Sequence, residues 1–167
     1  MKHHKVLHVV RHAKSSWDYD GIADIDRTLK SKGIRNAYEI SRKIKLSQPS
    51  PQLIISSPAI RALHTAVIFA RVLEFPLKKL EINTLLYESS AEKIIELIRK
   101  SPEDITSVMI FGHNPDLTDL VNYFLKQPLM DIPTSGAVIL KFKTTNWKEI
   151  SHESRDSEFL YFPSREE

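Results

Sequence analysis

Arg11 and His12 close a short apolar run, Val6-Leu7-His8-Val9-Val10, and so set a fixed cation beside an imidazole where the chain leaves a hydrophobic interior. The run is too short for a typical helix and rich in β-branched residues, which reads as a buried strand. In open α/β sheets ligands bind outside the carboxyl ends of the strands, so the pair points to an anion site with a nucleophile or an acid/base group at hand. A strand running into a solvated basic loop would look the same in isolation. Two later residues converge on the same chemistry. Arg61 is expected in the first turn of a helix, where free backbone N–H groups and the helix dipole already favour an anion and a cation is unfavourable unless an anion is bound. His113 follows a second buried run, Ser107-Val108-Met109-Ile110-Phe111-Gly112, and offers a fourth donor for a phosphoryl group.

The elements needed to position these four residues can be read from periodicity. Residues 33–46 carry Ile34, Ala37, Ile40 and Ile44 at helical spacing, and Pro49 and Pro51 end that helix. Residues 52–56 are a second buried strand. Ser57 reads as an N-cap and Pro58 as the first residue of a helix to about residue 73, with Ala62, Ala66, Phe69 and Ala70 inward. A weaker strand is expected near residues 80–83, and a helix over 91–100 presents Ile94, Ile95 and Ile98. After strand 107–112, Asn114-Pro115 repeats the N-cap and Pro pairing before a helix to about residue 126. Residues 136–142 are a fifth strand, and 147–150 and 159–162 are plausible edge strands. Alternation of this kind implies crossover connections and a three-layer α/β/α sandwich with a mostly parallel central sheet. Arg11-His12, Ser56-Ser57-Pro58 with Arg61, Tyr87-Glu88 and Gly112-His113-Asn114 would then all lie on one rim.

Composition narrows the function classes. The 167 residues, 41% of them hydrophobic, suffice for one substantial core and read as a single domain over 1–167. The 24 basic residues against 21 acidic ones are scattered, which is too mild a balance to argue for nucleic acid. Cysteine is absent, which removes disulfides and cysteine-based metal sites and fits a reducing compartment, with the cytoplasm as the default. The basic start of the chain leads into an apolar run too short and too broken for a signal peptide or a membrane span. His3 and His4 read as a solvated terminus rather than metal ligands. No Walker loop or compact carboxylate cluster suited to magnesium is present.

Taken in order, Arg11-His12-Ala13, Ser56-Ser57-Pro58 with Arg61-Ala62 and Thr65-Ala66, and Gly112-His113-Asn114-Pro115 resemble the histidine phosphatase superfamily, also called phosphoglycerate mutase-like. Arg11-His12-Ala13-Lys14-Ser15-Ser16-Trp17 and Asp26-Arg27-Thr28-Leu29 look like the compact bacterial phosphohistidine phosphatases of the SixA type within it. The resemblance reaches from the first strand to about Phe142. It implies a phosphoglycerate mutase-like fold and in-line attack of His12 on phosphorus. Arg11, Arg61 and His113 would hold the nonbridging oxygens, and water would then hydrolyse the phosphohistidine. It implies no cofactor and no metal, since fixed cations stand in for one. Ala13 departs from the glycine usual after the nucleophile, but keeps the carbonyl that could orient the imidazole.

Glu88 falls near the position of a leaving-group acid in many members, the alternative being a solvated carboxylate before the next helix; Asp18 is a weaker candidate. Lys14, Ser15, Arg27 and Asn114 are candidate substrate-binding residues, with solvent exposure the alternative for Lys14 and Ser15. Three functions remain open at this level: hydrolysis of phosphohistidine on a protein, hydrolysis of a small phosphorylated metabolite, and noncatalytic phosphate recognition. Connections after the strands are mostly short and leave little material for a lid, so the rim is open to a phosphorylated side chain of another protein.

Overall fold

The computed structural model describes residues 4–18 and 20–164. Its centre is a six-stranded sheet in the order β3-β2-β4-β1-β5-β6. The strands are β1 (Lys5–Arg11), β2 (Leu53–Ser56), β3 (Glu81–Ile82), β4 (Ser107–Gly112), β5 (Ala137–Phe142) and β6 (Arg155–Tyr161). Pairings β1 with β4, β4 with β2 and β2 with β3 are parallel, whereas β5 runs antiparallel to both β1 and β6. One strand therefore opposes the rest. The helices are α1 (Ser31–Ser47), α2 (Ile60–Val72), α3 (Ala91–Arg99) and α4 (Asp116–Phe124).

Period-two alternation in the central strands splits the core into two layers. Leu7, Val9, Val108, Ile110, Val138 and Leu140 pack with Ile94, Ile98, Leu120 and Phe124 of α3 and α4. Val6, Val10, Ile54, Met109, Phe111 and Ile139 pack with Ala37, Ile40, Ile44, Ala66 and Phe69 of α1 and α2. The chain thus leaves β1 toward one face and the adjacent, parallel β4 toward the other. A crevice opens where neighbouring strands send their connections to opposite faces. Arg11 and Gly112 are register partners across that junction, so His12 and His113 leave the sheet side by side.

Three local expectations differ from the structure. Helix α2 begins at Ile60, with Ala59 as its extended N-cap, rather than at Pro58. The Ser57 hydroxyl lies against the His113 ring, 2.8 Å from Nε2, and receives the Ala59 N–H at 3.2 Å, closing a turn before the helix starts. Helix α4 likewise begins at Asp116 and ends at Phe124; Asn114 sits one residue ahead of the N-cap Pro115, and its Oδ1 still accepts the Thr118 N–H at 3.3 Å. The segment at 147–150 is no edge strand. Trp147–Glu149 is a 3₁₀ turn, because Asn146 Oδ1 captures the Lys148 N–H at 3.0 Å and the indole donates to the Ile105 carbonyl at 2.7 Å. The edge strand that does form starts earlier than expected, at Arg155. His3 lies outside the described residues, while His4 faces Asp156 at 3.1 Å.

Gly33, in the first turn of α1, is where the fold comes closest to the loop after β1. A Cβ there would run into the Lys14 carbonyl oxygen and sit 2.8 Å from the Lys14 nitrogen, both backbone atoms. That same carbonyl accepts the Lys30 N–H at 2.9 Å, which ties the loop to the helix start. Gly33→Ala should therefore push the Lys14–Ser15 backbone outward. The expected cost is about 1–3 kcal/mol, read as a melting temperature lower by roughly 2–12 °C, with weakened phosphate binding. An unchanged melting temperature and unchanged phosphate affinity would contradict this close approach.

Candidate active site

His12 leaves β1 with its ring fixed. Nδ1 lies 2.7 Å from the Ala13 carbonyl oxygen, which can only accept, so Nδ1 carries the proton and Nε2 holds the lone pair of the neutral ring. The next peptide is pinned as well: Ala13 N–H donates to Thr65 Oγ1 at 2.9 Å, and the Thr65 hydroxyl donates to the Arg61 carbonyl at 2.7 Å. Burial pushes the His12 pKa down and the Ala13 carbonyl opposes it, but Arg61, Arg11 and Arg27 add to the fall, which reaches about 4. His12 is neutral at pH 7. The His113 ring centroid is 5.1 Å from that of His12, and burial first, then His12 and Arg61, push its pKa down to about 3.

Arg61 reaches back from α2, 6% exposed. Its Nη1 donates to the Asp24 carbonyl at 2.7 Å and its Nη2 to the Asp24 carboxylate at 3.0 Å. Asp24 also accepts from Tyr87 at 2.8 Å and from Arg27 Nη1 at 3.1 Å. Partial burial alone would raise the Asp24 carboxyl, but hydrogen bonds from Tyr87, Arg27 and Arg61 and the Arg61 charge hold it down at about 2. It is an anchor for cations rather than a proton donor near neutral pH. Arg11 is held from the opposite side, where its Nη1 donates to the Ile132 carbonyl at 2.8 Å and faces Asp131 at 3.4 Å.

Once these tethers are made, Arg11 Nε, Arg61 Nε and His113 Nδ1 are buried without a hydrogen-bond partner among the described residues. Two guanidinium groups and an imidazole around the lone-pair Nε2 of His12 suit a tetrahedral oxyanion. These side chains share one open cleft of about 340 Å³ with Lys14, Ser15, Trp17, Arg27, Lys30, Asn114 and Thr134.

The model of the histidine phosphatase superfamily (branch 1) matches residues 7–103 of the chain. The chain belongs to the histidine phosphatase superfamily. An uncharacterized protein of Mycobacterium tuberculosis strain H37Rv, Rv1276c, is 29% identical over 136 residues, 81% of this chain and 82% of its own length. Among solved structures, a putative phosphohistidine phosphatase SixA from Agrobacterium tumefaciens is similar with a TM-score of 0.75 and 27% identity, covering 81% of this chain and 90% of that one. A second, from Nakamurella multipartitia, superposes with a TM-score of 0.81 at 16% identity over 97% of this chain and 98% of that one, a likeness of fold. The architecture is that of the phosphoglycerate mutase-like histidine phosphatases, of SixA type, and membership supports phosphatase activity.

In this histidine phosphatase the expected site residues divide into two groups. Arg11, His12, Arg61, His113, Lys14, Ser15, Arg27 and Asn114 meet in the cleft. Arg27 and Asn114 are in addition tethered to protein groups. Arg27 donates to Ser16 O at 3.2 Å, Asp24 at 3.1 Å and Ser15 Oγ at 2.5 Å. Asn114 Nδ2 donates to Asp131 at 2.6 Å and to the Ile132 carbonyl at 2.9 Å. Ser15 is buried and Lys14 exposed. Glu88 is exposed and is not among the residues lining the cleft.

Asp24 and the segment entering β5 were not anticipated as parts of the site, whereas Ser57 and Tyr87 were expected on the rim without a role. Ser135 N–H donates to the His12 carbonyl at 3.1 Å, and Gly136 O accepts the Arg11 N–H at 3.0 Å. Thr65 stood in the motif order without a role. No group of three or more His, Asp or Glu among the described residues could hold a metal ion, and no helix is long and apolar enough to cross a membrane.

Proposed function

We propose that the protein is a metal-independent phosphatase that hydrolyses phosphohistidine on another protein, through a covalent phosphohistidine at His12. The observation that carries this reading is the hydrogen bond from His12 Nδ1 to the Ala13 carbonyl, which leaves the Nε2 lone pair among Arg11, Arg61 and His113. Nε2 forms a bond to phosphorus as the bond to the leaving nitrogen breaks on the opposite side. Arg11, Arg61 and His113 hold the equatorial oxygens. A bound phosphoryl group draws His113 toward its charged form. Water then attacks phosphorus, the bond to His12 breaks, and inorganic phosphate leaves. Fixed guanidinium groups supply the charge that a divalent cation would otherwise bring. The two core layers share one sheet, which supports a single domain over 1–167, and the lack of cysteine fits work in the cytoplasm.

The leaving group favours phosphohistidine over a metabolite ester. An imidazole protonated at its distal nitrogen departs neutral, with a conjugate-acid pKa of about 6.5, whereas an alkoxide needs an acid at the bond being broken. The exposed Glu88, outside the lining of the cleft, is a weak candidate for that acid. The relative from Agrobacterium tumefaciens is described as a putative phosphohistidine phosphatase, which points the same way. In a panel of a phosphohistidine protein and alkyl and sugar phosphates, the former should turn over fastest, in the presence of a strong chelator. Glu88→Gln should change that rate by less than about threefold. Preference for a sugar phosphate together with a large loss on Glu88→Gln would make the protein a metabolite phosphatase. Recovery of activity only with magnesium would remove the fixed-cation mechanism.

A further inference from the structure

Trp17 is 74% exposed and lines the cleft that holds His12. Single exposed aromatic residues are ordinary on protein surfaces, so exposure alone says nothing. The mounting of this one is not ordinary. The Arg27 guanidinium carbon lies 3.2 Å from the centre of the indole ring, against one face. That guanidinium is itself tethered on three sides, by Ser15 Oγ, the Ser16 carbonyl and Asp24, so it is held in place over the indole. Asp24 carries the tether onward to Arg61, which lines the same cleft. The indole is therefore braced from behind by the same network that positions a phosphate-binding cation, while its other face and edges account for its exposure.

We propose that the open face of Trp17 is a stacking subsite for a planar ring that bears the phosphoryl group, so that the cleft selects phosphoryl-imidazole and phosphoryl-aryl substrates over ring-free ones. This rests on the proposed function in taking the cleft as the phosphoryl site, and it adds a determinant for the group on the other side of the scissile bond. An aromatic wall held in place before binding loses little entropy when a ring stacks on it, and such a contact tolerates different ring types.

The test compares ring-bearing with ring-free partners in the full-length protein. For Trp17→Ala the ratio of kcat/KM for phosphohistidine to that for phosphoramidate, which has a P–N bond without a ring, should fall about 10-fold, mostly through KM, a loss typical of one aromatic stacking contact. Trp17→Phe should keep most of the ratio. Binding gives a readout independent of turnover. The chain has two tryptophans, and Trp147 is buried, so phenylphosphonate should quench Trp17 emission where methylphosphonate does not, and the quench should vanish in Trp17→Phe. An unchanged ratio, or equal losses on both substrates, would overturn the subsite, the second outcome marking Trp17 as a structural brace. If the wild type ignores phosphohistidine but phenylphosphonate still quenches, the assignment of protein phosphohistidine fails and the ring subsite stands.

Discussion

His12→Ala abolishes turnover, with a loss of at least about 10⁴-fold by comparison with nucleophile deletions in other enzymes that work through a covalent intermediate. The expectation follows from the way the ring is held rather than from its residue type alone. With Nδ1 committed to the Ala13 carbonyl, Nε2 is the one ring atom of His12 that carries a lone pair, and burial beside Arg61, Arg11 and Arg27 keeps it unprotonated down to about pH 4. The covalent product is a phosphoramidate, labile in acid and stable in alkali. Quenching turnover of a radiolabelled substrate in base should trap label on the wild type and none on His12→Ala. The variant should still bind tungstate or phosphate, because Arg11, Arg61 and His113 remain. Label persisting on His12→Ala would move the nucleophile elsewhere, and turnover without any trapped label in the wild type would favour direct attack by water.

Much of this site can be read from the chain because its main residues sit next to strong periodic signals. Arg11-His12 and His113 end apolar runs that became β1 and β4, and Ala37, Ile40 and Ile44 mark the inward face of α1 at helical spacing. What escaped lies where local pattern carries no information about distant partners. Asp24 sits in a polar connection with no periodicity, yet it binds Arg61, 37 positions later, and Tyr87, 63 positions later. The segment 131–136 reaches the rim only because β5 runs antiparallel to β1, a direction that an apolar hexapeptide does not announce. At 147–150 a short hydrophobic stretch looks like a strand, but the Asn146 cap and the indole hydrogen bond outweigh that preference. Ser57 is a related case: Ser before Pro is a good helix start by composition, and the neighbouring His113 ring gives its hydroxyl a second partner.

Arg61→Ala should lower kcat by about 100-fold or more, the scale expected when one preorganised donor to a developing oxyanion is lost. Arg61 is placed for that role by a network that leaves it no freedom: Asp24 takes both terminal nitrogens, Tyr87 and Arg27 fix Asp24, and Nε has no partner among the described residues. Lysine cannot substitute, because an ammonium lacks the planar fork that can grip Asp24 and still offer a third N–H, so Arg61→Lys should recover little. The pH profile separates electrostatics from simple disruption. In the wild type kcat/KM for an acid-stable aryl phosphate should fall as pH drops through about 4, where His12 gains a proton and its lone pair is lost. Removing the Arg61 charge removes one cause of that low value, so the acid limb should move upward in both variants only as far as positive charge is lost: clearly in Arg61→Ala, little in Arg61→Lys. Burial and Arg11 still hold it below the ordinary imidazole value of about 6.5. A loss under about threefold in Arg61→Ala, or an acid limb that stays put there, would take Arg61 out of the group that both grips the phosphoryl oxygens and keeps His12 neutral.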